Sequence, residues 1–447
     1  MSKQDKKELR QQIACEWLEE NYLQFGSLRH DVVTDRLQIK AYKPTPCPSL
    51  KGREEGDGLG DRQENWRNLT DKDINTMVCQ CVAEKGVNIS TNEMWTALKS
   101  DMVPAVHPLR AWLNGLRPYT ADQPDWIDLV AQQVRVKPSG EEAKGDKARG
   151  EELWRACFKK WFVAMVASWM KDEVVNHTVL VLVGRQGIFK TTWLDNLIPP
   201  ELRAYSSKLP LSGQISKDDR LRLCENGMLN IDELDAMCGR EMNIVKSLLT
   251  STDVNERAAY GRLKERRVRL ASFCASTNKR EFLTDITGNR RWLPFEVESI
   301  QNPFHTIIPY ERLYAQAKAL VEEGIFSYWF DMEEMEVLEA HNEEFRALEN
   351  EEQLLPILFD IPAEGKGEFM TTAEISDKLV TYGGIKKPMS TRQLGMLLSK
   401  KGYIKKMMYI SGTMVRGWMV YQRESDEIKL VKRIERDLTT LQPYNLF

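Results

Sequence analysis

The chain has 447 residues and a formal net charge of −3, with 42% apolar and 29% charged residues. This length and composition are typical of a globular protein with two or three domains, each with its own core. No apolar run is long enough to span a bilayer, and the nearly balanced charge gives no global indication of nucleic-acid binding.

Residues 1–140 are predicted to form a mostly helical domain. Apolar residues recur at helical intervals over residues 71–84, 92–99 and 126–134. A loop rich in proline, glycine and charge interrupts this pattern at residues 44–63. The region shows no catalytic constellation, and in particular no clustered acids of the kind that a primase needs on its strands.

A polar, charged linker near residue 140 leads to a predicted core domain at residues 141–330. This domain opens with a predicted amphipathic helix at residues 151–171, whose large apolar residues recur every three or four positions. They are Trp154, Cys157, Phe158, Trp161, Phe162, Met165 and Trp169. An aromatic stripe of this kind is far more often core than a base-stacking surface, so we expect the helix to pack against a sheet.

A phosphate-binding loop is indicated directly after the apolar, β-branched run at residues 179–183. In such a loop backbone N–H groups surround an anion, and the following helix adds its positive end. Lys190 would contact the β- and γ-phosphates of ATP, and the Thr191 hydroxyl would bind Mg²⁺. The candidate cofactor-binding residues are Gly184, Gly187, Lys190, Thr191 and Thr192.

The loop departs from the pattern G-x-x-x-x-G-K-[ST] at one position, where Phe189 stands in place of the second glycine. The position before the lysine often needs a backbone freedom that phenylalanine lacks. Gly187 is therefore the expected site of the turn. For the loop taken by itself, a chance succession of strand, glycine, loop and Lys-Thr is an open alternative.

A pair of carboxylates follows the next predicted buried strand, at residues 228–231. Asp232 would bind in the Mg²⁺ shell, and Glu233 would polarise the attacking water, as phosphoryl-transfer ATPases require. Two solvated acids at the end of a strand are the alternative.

Two further candidates flank later strands. The apolar stretch at residues 270–276 leads to Asn278, an amide that could orient the water or sense the γ-phosphate. Arg290 and Arg291 precede another predicted strand, at residues 293–297, and offer an arginine finger.

Residues 184–297 resemble the virulence-associated protein E (VapE) family, which is similar to superfamily 3 helicases and to the helicase half of phage and poxvirus primase-helicases. The matching stretches are GRQGIFKTTW, MLNIDELD, NERAAYGRLKERR, ASFCASTN and LTDITGNRRWLPFEV. The runs NERAAYGRLKERR and TGNRRWLPF are long and unusual, which makes the resemblance specific.

The resemblance implies an AAA+-like ATPase core, assembly into a ring, and work on DNA during replication of mobile elements. It implies Mg²⁺ and ATP as cofactors, with Thr191 and Asp232 as the metal positions. The implied catalytic positions are the Walker A lysine, the Walker B glutamate, the sensor amide and the arginine finger, namely Lys190, Glu233, Asn278 and Arg290 or Arg291.

A basic segment at residues 253–269 precedes the sensor strand, where superfamily 3 proteins place a β-hairpin that projects into the ring channel. Gly261 suits the tip of such a hairpin. The cations would follow the phosphate backbone of single-stranded DNA, and they are Arg257, Arg262, Lys264, Arg266, Arg267 and Arg269. The alternatives are a solvated basic loop and arginines that contact nucleotide in the neighbouring subunit.

The remainder of the chain consists of an acidic segment followed by a segment without acidic residues. Residues 331–355 are densely acidic and are predicted to form a helical linker, whereas residues 379–423 contain no Asp or Glu. Residues 356–447 are predicted to form a winged-helix-like domain, because helices capped by Thr371 and Ser390 precede two strand-like runs.

Basic side chains on the second helix and the wing of this domain are candidates for binding duplex DNA. They are Arg392, Lys400, Lys401, Lys405 and Lys406. The alternative is a winged-helix fold that makes subunit contacts, with solvated lysines.

With the resemblance, these features predict an α/β protein with an AAA+-like P-loop ATPase core, an amino-terminal helical domain and a carboxyl-terminal winged-helix-like domain. The expected function is that of a DNA-dependent ATPase, a replicative helicase of a prophage or mobile element. Mg-ATP hydrolysis would move DNA through a homo-oligomeric, hexameric ring. The alternative is a DNA-binding replication or regulatory factor whose nucleotide site is a switch or is degenerate, without unwinding activity.

The expected partners are single-stranded DNA in the ring channel, duplex DNA at the carboxyl-terminal domain, and a separate primase. The sequence MSKQDKKELR lacks the apolar core of a signal peptide. The 8 cysteines include no C-x-x-C pair, so buried thiols are favoured over a zinc site. A cytoplasmic location without membrane attachment is therefore expected.

Overall fold

The protein is a mixed α/β chain of two compact units. The computed structural model describes residues 2–40, 66–138, 147–209, 216–232, 234, 239–256, 265–283, 289–347, 350–362, 367–386, 388–410, 412–429 and 431. The first unit comprises residues 1–280 and 290–341, and the second comprises residues 281–289 and 342–447. No helix among the described residues is both long and apolar enough to cross a membrane.

The amino-terminal part of the first unit combines helices with a four-stranded sheet of order β3-β2-β1-β4, in which only β1 and β4 are parallel. Its elements are α1 (Lys3–Leu18), β1 (Leu28–Asp31), β2 (Arg36–Lys40), β3 (Trp66–Asn68), α2 (Asp71–Lys85), α3 (Thr91–Leu98), β4 (Ala105–Val106), α4 (Pro108–Asn114), α5 (Trp126–Ala131) and β5 (Val134–Val136). The helices predicted at residues 71–84 and 92–99 are confirmed as α2 and α3. Helices make up most of this part of the chain, and the four-stranded sheet is an addition that the sequence did not predict.

A buried polar network explains why the sequence pattern missed this sheet. β1 and β2 bury two polar side chains, Asp31 and Gln38, besides the apolar Leu28. Asp31 accepts hydrogen bonds from the Thr34 hydroxyl at 2.7 Å and the Val33 N–H at 2.9 Å. Its carboxylate also accepts from the Tyr205 hydroxyl at 2.9 Å, and burial, followed by the Asp31 charge, raises the pKa of that phenol. Hydrogen bonds rather than an alternating apolar pattern therefore hold this sheet to the core that follows.

The core of the first unit is a six-stranded sheet flanked by helices. Its elements are α6 (Lys147–Met170), β6 (Val179–Val183), α7 (Lys190–Asp195), β7 (Ser206–Lys208), α8 (Lys217–Glu225), β8 (Met228–Ile231), α9 (Gly239–Thr250), β9 (Asp253–Glu256), β10 (Glu265–Val268), β11 (Ser272–Thr277), β12 (Trp292–Ile300), α10 (Tyr310–Glu323) and α11 (Met332–Asn342). The order is β5-β12-β6-β11-β8-β7. All neighbours are parallel except β5 and β12.

Helix α6 is the central packing element of this core, as the aromatic stripe predicts. Trp154, Trp161 and Trp169 are all buried. Trp161 donates its indole N–H to the Phe273 carbonyl at 2.9 Å, and Trp169 donates to the Gly227 carbonyl at 3.1 Å. Trp154 donates to the Ala131 carbonyl, at the end of α5, at 3.0 Å. Each ring therefore contributes apolar area while a backbone carbonyl satisfies its one polar atom.

Arg269 is a second anchor of the core, and it corrects the sequence analysis, which counted it among the cations of the basic hairpin. The side chain is fully buried. Its guanidinium donates to five backbone carbonyls, those of Asn176, Leu248, Leu249, Ser251 and Ala271. Burial lowers the pKa of Arg269 to about 9, so the group stays charged at neutral pH. Arg269 therefore holds the end of α9 and cannot reach DNA.

We expect Arg269→Met to destabilise the protein by about 3 kcal/mol or more, because buried carbonyls then lose their donor. The matched control is Arg266→Met, which removes an exposed cation from the same segment and should change the free energy of unfolding by less than about 0.5 kcal/mol. Denaturant unfolding of both variants checks this. Equal stabilities would contradict the structural role of Arg269.

The second unit has its own apolar core. Its elements are α12 (Asn350–Leu358), β13 (Phe359–Asp360), β14 (Glu368–Met370), α13 (Thr372–Gly383), α14 (Thr391–Lys400), β15 (Ile404–Ile410) and β16 (Thr413–Gln422). β16 pairs antiparallel with β13, β14 and β15. The predicted caps are confirmed, since Thr371 and Ser390 accept the N–H three residues later and begin α13 and α14.

Part of the acidic segment at residues 331–355 is folded into the second unit. Glu352 is buried and makes a two-pronged ion pair with Arg346, at 2.5 Å for each prong. Glu351 is buried as well and accepts the Met389 N–H at 2.6 Å. These two acids therefore stabilise the start of α12 instead of lying in solvent.

Candidate nucleotide site

The candidate site lies at the carboxyl edge of the parallel strands of the core sheet. β11 runs between β6 and β8, with Thr277 level with Val183 and Ala275 level with Ile231. The loop after β6, the residues after β11 and Asp232 after β8 therefore meet at one edge. In open parallel sheets, ligands bind outside this edge.

The loop between β6 and α7 turns sharply through left-handed backbone. Gly184 has φ 154°, and a Cβ there would lie 3.1 Å from the Val297 carbonyl oxygen, so β12 approaches too closely for a side chain. Gly187 has φ 86° and Phe189 has φ 68°. The sequence analysis expected the turn at Gly187 instead of at position 189. Gly187 does have a left-handed backbone, but the turn is not confined to it. Phe189 also takes the left-handed conformation, which is strained for a residue with a Cβ.

Lys190 crosses the loop and ties it to the neighbouring strand. Its ammonium donates to the carbonyls of Gly184 at 2.6 Å and Arg185 at 2.7 Å, and to the side-chain oxygen of Asn278 at 3.1 Å. The residue is only 7% exposed. The structure therefore brings together Lys190 and Asn278, two catalytic candidates that are 88 residues apart in the sequence. Thr192 is half-buried on the first turn of α7.

Thr191 and Asp232, the two metal candidates, also lie in contact. The Thr191 hydroxyl donates to Asp232 Oδ1 at 3.2 Å, and Ser276 donates to the same oxygen at 3.0 Å. Lys208 pairs with Asp232 Oδ2 at 2.7 Å. Partial burial opposes ionisation of Asp232, but hydrogen bonds from Lys208 and Ser276 outweigh it and lower its pKa.

Sequence reasoning missed Ser276 and Lys208. Ser276 sits in the otherwise apolar end of β11, and a hydroxyl in such a run was the one available signal. Lys208 ends the edge strand β7 and reaches Asp232 only because β7 pairs with β8. Glu233, the predicted water-polarising carboxylate, lies outside the described residues.

Arg290 and Arg291 lie at the opposite edge of the sheet from the loop. They form a 3-10 turn just before β12, and Trp292 at the start of β12 is level with Val179 at the start of β6. The 5 residues of β6, at about 3.3 Å each, separate them from Gly184 by roughly 16 Å. Arg290 is exposed and Arg291 is half-buried. Neither arginine can therefore reach the loop of its own subunit.

The basic hairpin is described only at its base, where β9 and β10 pair antiparallel. Arg266 is exposed and pairs with Asp253 at 2.8 Å. Arg267 is mostly buried, pairs with Glu225 at 3.3 Å and donates to the Val33 carbonyl. The predicted cations nearer the tip lie outside the described residues, namely Arg257, Arg262 and Lys264.

The cations of the second unit differ in what they contact. Lys400 pairs with Glu343 at 2.8 Å, and Lys401 pairs with Glu352 at 3.4 Å. Lys405 and Lys406 are exposed on β15, and the Lys405 ammonium lies 5.4 Å from the Trp418 ring centroid. Arg392 is exposed near the start of α14. Among the described residues, Lys405 and Lys406 on the wing have no acidic partner, whereas Lys400 and Lys401 at the end of α14 are each paired with a glutamate.

Comparison with known proteins identifies the class of domain that this sheet and loop define. Residues 146–347 match the profile of the Virulence-associated protein E-like domain. The match supports the resemblance that the sequence motifs predict. No curated protein sequence matches the chain.

Solved structures of the NrS-1 C-terminal region are similar to the chain. The apo structure of NrS-1 C-terminal region 305–718 is 11% identical with a TM-score of 0.43, covering 89% of this chain and 97% of that one. The A form apo structure of the same region is 12% identical with a TM-score of 0.42, covering 91% and 99%.

Proposed function

We propose that the chain is a DNA-dependent ATPase with an AAA+-like P-loop core, which acts as the replicative helicase of a phage or mobile element. The observation that carries the proposal is the meeting of Lys190, Thr191 and Asp232 at one edge of adjacent parallel strands. Phosphoryl transfer needs a cation that binds phosphate and oxygen ligands that bind a metal. Lys190 supplies the cation, and the Thr191 hydroxyl and the Asp232 carboxylate supply the oxygen ligands.

The residues of the site fit Mg-ATP. The Thr191 hydroxyl and the Asp232 carboxylate supply adjacent oxygen ligands, which Mg²⁺ prefers together with phosphate oxygens and water. The loop amides and the start of α7 bind phosphates, and Lys190 contacts the β- and γ-phosphates. Held by Thr191 and Asp232, Mg²⁺ would neutralise charge on the transferring phosphoryl group. Asn278 holds Lys190 in place, and Glu233 activates water.

A DNA-binding factor with a nucleotide switch is the second candidate, and one contact favours it. Lys208 neutralises Asp232 at 2.7 Å, so a cation already lies at the carboxylate that must bind Mg²⁺. If this pair persists with nucleotide bound, the site binds ATP without turning it over.

Steady-state phosphate release from Mg-ATP, with and without single-stranded DNA, distinguishes the two candidates. The helicase proposal expects turnover that single-stranded DNA stimulates and that Asp232→Asn abolishes. Binding of ATP without turnover, with or without DNA, would instead support the switch. The same assay on Lys208→Met, which removes the competing cation, then shows whether the ion pair limits hydrolysis.

The second unit supports a DNA-binding role of the winged-helix type. Its order is one helix, two short strands, two helices and a two-stranded wing, with Lys405 and Lys406 exposed on the wing. We propose that the wing binds duplex DNA while the basic hairpin follows single-stranded DNA in a hexameric ring. A separate primase partner would supply primers.

We expect duplex binding by the full-length chain to weaken steeply as salt rises, with each phosphate contact adding about 0.9 to the slope of log affinity against log salt. Lys405→Gln/Lys406→Gln should lower that slope by about 2. Lys400→Gln/Lys401→Gln removes the same charge and is the matched control. It should change the slope less, because Lys400 and Lys401 are already paired with Glu343 and Glu352.

Fluorescence anisotropy with a labelled duplex at a series of salt concentrations measures both slopes. Equal slopes for the wild type and Lys405→Gln/Lys406→Gln would show that the wing does not bind duplex DNA, and would support the alternative that it makes subunit contacts.

A further inference from the structure

An aromatic pair stands at the phosphate-binding loop. The rings of Phe189 and Phe304 lie edge to face, with centroids 6.2 Å apart and planes at 83°. Phe189 is half-buried, whereas Phe304 is 75% exposed. Ile307, farther along the same loop and outside this ring pair, is 86% exposed. An exposed aromatic ring lacks the free energy of burial, so the Phe304 ring beside a candidate site is available to a ligand.

Hydrogen bonds hold the loop that carries Phe304 in place along α7. The Phe304 N–H donates to the Asn302 side chain at 3.0 Å, and the N–H groups of His305 and Thr306 donate to the Asn302 carbonyl. At the far end of the loop, the Tyr310 hydroxyl donates to the Asn196 carbonyl, at the end of α7, at 2.7 Å.

Strand β12, which precedes this loop, passes the phosphate-binding loop. The carbonyl of Val297, within β12, lies against Gly184, and β12 continues to Ile300 before the loop begins. The ring contact with Phe189 places Phe304 next to the first residue of α7, which is Lys190.

Phe189 contributes the second ring at a conformational cost. Its φ of 68° is one that glycine adopts freely. A phenylalanine there is strained, and strain of this kind persists where the side chain has a role. The contact with Phe304 is what the Phe189 ring adds over glycine.

We propose that Phe189 and Phe304 form the base subsite of the nucleotide, in which Phe304 stacks on a purine ring. The inference rests on the proposed function, since it places the base next to phosphates held by Lys190. In an edge-to-face pair, one ring keeps an open face, and aromatic faces bind bases by stacking. The larger ring system of a purine overlaps Phe304 more than a pyrimidine does. The subsite therefore selects ATP and GTP over CTP and UTP.

Equilibrium binding of Mg²⁺ complexes of ATP, GTP, CTP, UTP and inorganic tripolyphosphate to the full-length chain tests this subsite. Phe304→Ala should weaken ATP binding by about 5- to 150-fold, the range that loss of one stacked base gives. Tripolyphosphate binding should not change, because the phosphate contacts remain. Phe304→Tyr keeps the ring and should restore ATP affinity. Phe189→Gly should keep tripolyphosphate affinity and lower ATP affinity.

Ile307→Ala is the matched control, since it removes an exposed apolar side chain from the same loop. It should leave every affinity unchanged. If both Phe304→Ala and Ile307→Ala dissociate the oligomer and leave nucleotide affinity unaltered, the loop is a subunit contact and the proposal is overturned. Equal losses of ATP and tripolyphosphate affinity in Phe304→Ala would also overturn it, because they indicate collapse of the loop.

Binding of tripolyphosphate to the wild-type chain distinguishes failure of the base subsite from failure of the proposed ATP site. A wild-type chain that binds tripolyphosphate and all four nucleotides equally retains a phosphate site but has no base subsite. A wild-type chain that binds none of the five ligands has no phosphate site, and both proposals fail.

Discussion

Replacing Lys190 with alanine is expected to abolish ATP hydrolysis and to weaken nucleotide binding by about 10- to 150-fold. The ammonium is only 7% exposed, and charge-assisted hydrogen bonds in such a site are worth about 1.5–3 kcal/mol. The same side chain bridges Gly184 and Asn278, so its loss also removes the side-chain tie between the loop and the residue after β11. Phosphate release and calorimetric titration with Mg-ATP measure the two effects.

Glu233→Gln is the comparison for Lys190→Ala, because it should affect ATP hydrolysis without affecting ATP binding. It removes the predicted water-polarising carboxylate and leaves Asp232 for the metal, so binding should persist while turnover is lost. If Glu233→Gln hydrolyses ATP at the wild-type rate, the assignment of the carboxylate pair is wrong. If Lys190→Ala binds ATP as tightly as the wild type, Lys190 does not contact phosphate.

Local patterns were enough to predict several elements in each of the two units. The buried strand β6, the helix α6 and the capped helices α13 and α14 follow from apolar periodicity and from hydroxyl caps, which act over a few residues. The contact between Lys190 and Asn278 depends on β11 lying next to β6, although β8 precedes it in the chain. Periodicity carries no information on strand order, so sequence predicted the residues but not their contacts.

Burial of polar residues accounts for what the sequence could not predict. Arg269 looks like one more cation of a basic segment, yet it is fully buried because backbone carbonyls surround it. The amino-terminal sheet was missed because Asp31 and Gln38 occupy two of its buried positions. In both cases one partner that permits burial comes from a distant segment, Tyr205 for Asp31 and Asn176 for Arg269, and only the folded chain brings them together.

Removing an arginine finger that acts between subunits is the second change expected to have a large effect on ATP hydrolysis. Arg290 and Arg291 lie at the edge of the sheet opposite the phosphate-binding loop, so they can contribute to a site only in a neighbouring protomer. Fingers of this kind are worth about 10³–10⁵ in rate. Arg290→Ala/Arg291→Ala should therefore lose nearly all hydrolysis while ATP binding, which the loop supplies, remains. The alternative is that these arginines only support the fold.

Mixing this double variant with Lys190→Ala tests the shared site directly. Each protein is inactive alone, since one lacks the finger and the other lacks the phosphate lysine. In a mixed ring, some interfaces combine the intact loop of the double variant with the intact arginines of Lys190→Ala. Activity should then return in part, and the recovered rate should rise and fall with the mixing ratio, with a maximum between the two pure proteins. No recovery from folded, co-assembled proteins would place the finger elsewhere.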